Sequence, residues 1–120
     1  MIIVTGASRG LGKAIAKRLS EKGKRVIGLA RSVESVDVEG IACDVSDYSS
    51  VKKAARAIKK IGEPVEAVIN AAGVASMNLA VTTDELTVQK LIQTNLVGTI
   101  YCCQLLAPIL LRQKHGSFIN

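Results

Sequence analysis

Thr5-Gly6-Ala7-Ser8-Arg9-Gly10-Leu11-Gly12 stands between two segments of different periodicity. Before it, Ile2 to Thr5 is a short β-branched run that ends at Gly6, the pattern of a buried strand meeting a turn. After it, apolar residues fall at Leu11, Ala14, Ile15 and Leu19, with Lys13, Lys17, Arg18 and Lys22 on the other side. That spacing predicts one amphipathic helix over Leu11 to Lys22, closed by Gly23, with the apolar stripe as its inner face. The octet is therefore a strand-to-helix turn.

The same alternation continues outward from it. Arg25 to Ala30 predicts a second strand and Gly40 to Cys43 a short third. Arg31 to Glu39 between them is too short for a crossover helix and predicts a loop or a single turn. Ser46 to Ile61 reads as a helix with Val51, Ala54, Ala55 and Ile58 inward, stopped by Gly62 and Pro64. Val65 to Asn70 predicts the fourth strand. Thr82 with Glu85 has the form of a capping box, opening a helical region to Lys114 with breaks expected at Gly98 and Pro108. Ser117 to Asn120 begins a fifth strand. Alternation of this kind implies parallel strands joined by right-handed crossovers, a doubly wound α/β sheet of about five strands in one domain. Ligands in such sheets sit beyond the carboxyl ends of the strands, where strand order reverses.

Composition narrows the partners. The chain has 120 residues, and 48% are apolar but only 2% aromatic, so its core is built from Val, Ile, Leu and Ala. That suits strands covered by helices on both faces. The net charge of +6 favours an anionic partner. Nucleic acid is not expected, because the basic residues are spread along the chain and Tyr48, Tyr101 and Phe118 are too few for a stacking platform. Cys43, Cys102 and Cys103 have no metal-binding spacing and read as reduced structural thiols, with no metal. Leu96 to Leu111, interrupted by Gly98, Thr99, Gln104 and Pro108, reads as too short and too polar to span a bilayer. No leader pattern precedes the first strand. A cytoplasmic protein without membrane contact is expected.

Each residue type in the octet has a physical role. Gly6 permits a tight exit from the strand, Gly10 lets backbone approach a pyrophosphate, and Gly12 lets the helix pack closely on the sheet. The helix that follows offers unpaired N–H groups and partial positive charge to the same anion. A P-loop is excluded by counting: alignment on Gly12-Lys13 leaves Ala7 at the first glycine and Ala14 at the hydroxyl position. The G-x-G-x-x-G fingerprint fails too, because the spacing is Gly-x-x-x-Gly-x-Gly.

Thr5 to Gly12 resembles the cofactor-binding signature of the short-chain dehydrogenase/reductase family, with Gly6, Ser8, Arg9, Gly10, Leu11 and Gly12 as the matching cofactor residues. Three further segments resemble the family in order. Asp44 and Val45, in Cys43-Asp44-Val45-Ser46-Asp47, look like the pair beside the adenine ring. Asn70-Ala71-Ala72-Gly73 is similar to the segment that supports the sheet and passes along the cofactor. Asn95, in Thr94-Asn95-Leu96-Val97-Gly98, resembles the catalytic helix Asn whose backbone holds a water in the proton relay. The resemblance implies a Rossmann-type dinucleotide-binding fold. It also implies a parent protein that transfers hydride between a nicotinamide cofactor and a ketone/alcohol pair. Reductases of acyl-carrier-protein thioesters and other carbonyl reductases share these motifs.

Cofactor choice has an argument of its own. An NAD site places a carboxylate at the end of the second strand to accept from the ribose 2′-OH. Here the strand ends in Leu29-Ala30-Arg31-Ser32, and a guanidinium suits the additional phosphate of NADP. Arg9 is expected to reach the same group.

The resemblance also implies a Ser just past the fifth strand and a Tyr-x-x-x-Lys pair on the next long helix. Neither is expected within this chain, which reads as the cofactor half of a longer reductase, truncated within the fifth strand and inactive alone. Tyr48-Ser49-Ser50-Val51-Lys52 has the right spacing but precedes Asn70, and reads as an i,i+4 pair on a helix surface. Ser117 and His115 are poor catalytic substitutes, the first at a strand start and the second at a helix end. The helix from Asn95 to Leu111 is apolar on most sides, and the resemblance implies that its outer face packs in a homo-oligomeric contact. A non-catalytic NADP(H)-binding or protein-interaction module is the alternative reading.

Overall fold

The computed structural model describes residues 1–120. Strands β1 (Ile2–Thr5), β2 (Val26–Ala30), β3 (Glu39–Ala42), β4 (Ala67–Ile69) and β5 (Ser117–Ile119) form one parallel sheet in the order β3-β2-β1-β4-β5. The helices are α1 (Gly10–Glu21), α2 (Tyr48–Ile61), α3 (Glu85–Ile92) and α4 (Gly98–Gln113). The chain moves outward from β1 to β3, then crosses back to lay β4 on the other side of β1. Strand order therefore reverses between β1 and β4, the position at which an open α/β sheet leaves a crevice.

The β-branched run works because successive side chains point to opposite faces. Ile3 and Ile27 enter the larger core with Leu29, Val68 and the inner faces of α2 and α4. Ile2, Val4 and Val26 point the other way and meet Ala7 and Ala16 beside α1. Full burial of such a side chain contributes about 1.5–3 kcal/mol. On α2, Val51, Ala54, Ala55 and Ile58 are all buried, so the helical period of this segment was readable. Asp47 caps α2 by accepting from the Ser49 N–H, and Gly62 closes it in the left-handed conformation. The connection from β2 to β3 holds only a three-residue 3-10 turn, Val33–Ser35.

Four expectations need correction. Leu11 and Ala14 do not form the inner face of α1: Gly12 and Ala16 are its buried residues, Ile15 and Leu19 are half-buried, and Leu11 is 71% exposed. The helix begins at Gly10, and its closest approach to the sheet is through Gly12, which rotates Leu11 away from the core. Thr82 is not a helix cap. Its hydroxyl donates to the Leu79 carbonyl within a 3-10 turn, while Asp84 caps α3 by accepting from the Thr87 N–H at 2.7 Å.

The third correction concerns the breaks. Between α3 and α4, Gln93–Val97 forms a π-helical turn, whereas Gly98 itself is helical and buried. Pro108 sits inside α4 without ending it; Gln104 and Pro108 are both exposed, so the carbonyl that the ring leaves unpaired faces water. The fourth follows from the third. The helical path runs from Glu85 to Gln113, 29 residues, and is long and apolar enough by length and composition to cross a membrane. Leu96 to Leu111, the stretch read as too short and too polar to span a bilayer, is only part of that path. In the structure Gly98, Cys102, Leu106 and Leu110 are buried, with the last three in the core shared by α2 and the sheet.

Candidate dinucleotide site

The crevice lies where the topology requires it, at the carboxyl ends of β1, β2 and β4, with a volume of about 550 Å³. The turn after β1 supplies one wall through Gly6, Ser8, Arg9, Gly10 and Leu11. Gly6 has φ +69°, and a Cβ there would lie 2.7 Å from the Ala72 Cα. A Cβ on Gly12 would lie 2.5 Å from the Gly6 carbonyl oxygen. In both cases the Cβ would meet backbone atoms, so neither position has a flexible neighbour that can yield. Gly10, also at positive φ, has open space in front of it. Arg9 enters α1 in extended conformation, and no side chain caps the N-terminus of that helix. The first-turn N–H groups, which have no intrahelical partners, are left for an anion. This uncapped terminus beside open space at Gly10 fits a pyrophosphate.

The turn is fixed from below. The Ala72 N–H donates to the Thr5 hydroxyl at 3.0 Å, and Thr5 is buried. This bond ties the end of β1 to the segment after β4, the two sides of the reversal. Ala71, Ala72 and Gly73 line the crevice on that side.

Arg31 lines the crevice just after β2, and Asp44 and Val45 line it after β3. The Asp44 carboxylate accepts from the Ser46 hydroxyl at 2.6 Å and the Ser46 N–H at 2.9 Å. The hydroxyl bond, then the N–H bond and the charge of Arg31, hold this carboxyl below its ordinary range against the opposing effect of burial. It is the only carboxylate in the lining. Sequence reasoning did not single out Ser46, Val74, Lys90 or Thr94, which also line the crevice. For Lys90 and Thr94 the one available signal was their i,i+4 spacing on the helix that carries Asn95.

Comparison with known proteins gives the family. The model of the short chain dehydrogenase family matches residues 1–120. The chain belongs to the short-chain dehydrogenase family. It is 34% identical to the 3-oxoacyl-[acyl-carrier-protein] reductase FabG of Staphylococcus aureus, over 98% of this chain and 53% of that protein. It is 30% identical to carbonyl reductase family member 4 of Xenopus laevis, with the same two coverages. A metagenomic short-chain oxidoreductase solved in complex with NADP superposes with a TM-score of 0.89 at 30% identity, over 100% of this chain and 59% of that one. The chain spans about half the length of the curated relatives it matches.

Four of the residues singled out in the sequence lie outside the crevice lining: Gly12, Ser32, Asn70 and Asn95. Gly12 packs beneath the turn, and the Ser32 hydroxyl bonds the Glu34 carboxylate at 3.0 Å. Asn70 joins β4 to the end of β5: its backbone N–H donates to the Ile119 carbonyl, and its side-chain amide donates to Asn120 Oδ1 at 2.7 Å. Asn95, inside the π turn, grips Val74 at both backbone groups, accepting from its N–H and donating to its carbonyl, each at 2.8 Å. The Asn95 carbonyl accepts from the Thr99 hydroxyl. Tyr48 and Lys52 line no part of the crevice; the Tyr48 ring packs edge-on against Tyr101 at 5.2 Å between centroids.

Proposed function

We propose that this chain is the cofactor-binding part of an NADP-dependent oxidoreductase that interconverts a ketone and an alcohol. The observation that carries the cofactor choice is the lining after β2. Arg31 stands where an NAD site would place an acid, and the single carboxylate in the crevice, Asp44, is already hydrogen-bonded by Ser46. The turn from Gly6 to Gly12 and the N-terminus of α1 hold the pyrophosphate; Arg31 and Arg9 hold the phosphate on the adenosine ribose; Asp44, Val45 and Ala72 border the adenine. Bound NADPH supplies a hydride to the substrate carbonyl.

The residues of this chain bind and orient rather than transfer protons. Asn95 fixes the loop after β4 through Val74 and so acts as a positioning residue for the crevice wall. The Tyr48–Lys52 pair, away from the crevice and packed on Tyr101, gives the chain no proton donor at the site. Binding without turnover is therefore the behaviour we assign to the chain by itself. The exposed apolar side chains Leu96, Ile100 and Leu111 support a homo-oligomeric parent.

Arg31→Asp tests the cofactor assignment. Loss of one charge-assisted contact should weaken NADPH binding by about tenfold or more, with NADH gaining relative to it. Equal ratios in the two proteins, measured by titration of each with both nucleotides, would refute the phosphate role of Arg31.

A further inference from the structure

Lys90, on α3, lines the crevice and also a groove of about 350 Å³ that opens from it. Arg9 is the other charged residue common to both. The remaining side-chain polar groups of the groove are the hydroxyls of Ser76 and Thr87, and no carboxylate lines it. Every side-chain polar group in its wall is thus able to donate a hydrogen bond, and both charges are positive.

Neither cation is neutralised within the protein. The ion pairs of the molecule engage the N-terminal amine, Lys13, Arg18, Lys24 and Arg25, and none reaches Arg9 or Lys90. Of the two acids nearest in sequence to the groove residues of α3, Glu85 accepts from the Gln89 side-chain amide at 2.8 Å, and Asp84 accepts from the Thr87 N–H as the cap of that helix. A concave site lined by one sign of charge focuses its field on an incoming counter-ion. The loop Gly73 to Ser76, which lines the groove, is tied to Asn95 by the two Asn95–Val74 bonds.

We propose that Lys90 and Arg9 form a phosphate-monoester subsite at this end of the crevice, which makes Lys90 a determinant of selectivity for phosphorylated ligands. The inference rests on the dinucleotide reading of the crevice and extends it to α3. The phosphate has two sources of the same chemistry: the 2′-phosphate of the cofactor, or a phosphate group on a second ligand lying alongside it. Lys90 is exposed and bonded to nothing, so its replacement leaves the fold intact.

The test compares the chain with its Lys90→Ala and Lys90→Arg forms by calorimetry with NADPH and NADH, and by amide chemical shifts with inorganic phosphate. If the 2′-phosphate is the ligand, Lys90→Ala weakens NADPH about fivefold to tenfold and NADH by less than about twofold, while Lys90→Arg retains affinity. If a second ligand is the source, nucleotide affinities hold, but phosphate-induced shifts at Gly73 to Ser76 and Thr87 to Leu91 disappear in Lys90→Ala. Unchanged nucleotide ratios together with an unchanged phosphate response overturn the proposal. Loss of all nucleotide binding in the unsubstituted chain, with a Lys90-dependent phosphate response retained, would remove the dinucleotide reading and leave the subsite standing.

Discussion

Cys43 and Cys102 lie in one core, and burial pushes their thiols up, Cys43 from 9.0 to about 11 and Cys102 to about 12. Both are neutral at physiological pH, which is the inert state of a thiol. The sign of their linkage follows. The unfolded chain releases these protons near pH 9 while the folded chain keeps them, so alkaline conditions favour unfolding. Stability is full below about pH 9 and declines between there and about 11 to 12. Melting curves from pH 8 to 11 should show the decline, and Cys102→Ala should reduce its slope; parallel slopes would indicate that other groups dominate. Asp44 works in the opposite direction, since its depressed pKa stabilises the fold above the ordinary carboxylate range and is lost in acid. Residues of this kind were only partly legible in the sequence. The motif around Asp44 could be read, but the Ser46 bonds that fix its carboxylate, and the place of Lys90 at the crevice, depend on tertiary placement.

The helices show where periodicity is informative and where it is not. On α2 the apolar stripe and the buried face coincide, because Val51, Ala54, Ala55 and Ile58 all enter the core shared with the sheet and α4. On α1 they do not, because a glycine makes the closest contact and leaves Leu11 over the crevice. Apolarity alone could not distinguish a core leucine from one that borders a ligand site. In the long helical region, glycine and proline were expected to interrupt, yet the irregularity is a π turn at Gln93–Val97 with no such residue in it. Its position beside the paired Asn95–Val74 bonds marks the wall of the crevice. The prediction at this scale concerns how closely α1 docks. Gly12→Val must displace the Gly6 carbonyl, which cannot rotate away, and should cost on the order of 2–3 kcal/mol as well as nucleotide binding. Chemical denaturation of the variant would reveal it, and wild-type stability would mean that α1 has room to shift.

At the scale of the whole molecule, the order β3-β2-β1-β4-β5 is what converts four sequence motifs into one site. The turn after β1, Arg31 after β2, Asp44 after β3 and Ala72 after β4 are far apart in the chain, and parallel strands bring all four to the same edge of the sheet. This much was legible before any coordinates, because strand-helix alternation leaves few topologies. The groove beside α3 was not, since the segment from Val74 to Asp84 has no period to read and its path is set by Asn95. The most direct test of the central claim is a calorimetric titration of the 120-residue chain with NADPH and then NADH, with carbonyl reduction assayed on the same sample. The account predicts stoichiometric binding that favours NADPH, without turnover. Absence of binding by either nucleotide to the folded chain would contradict it.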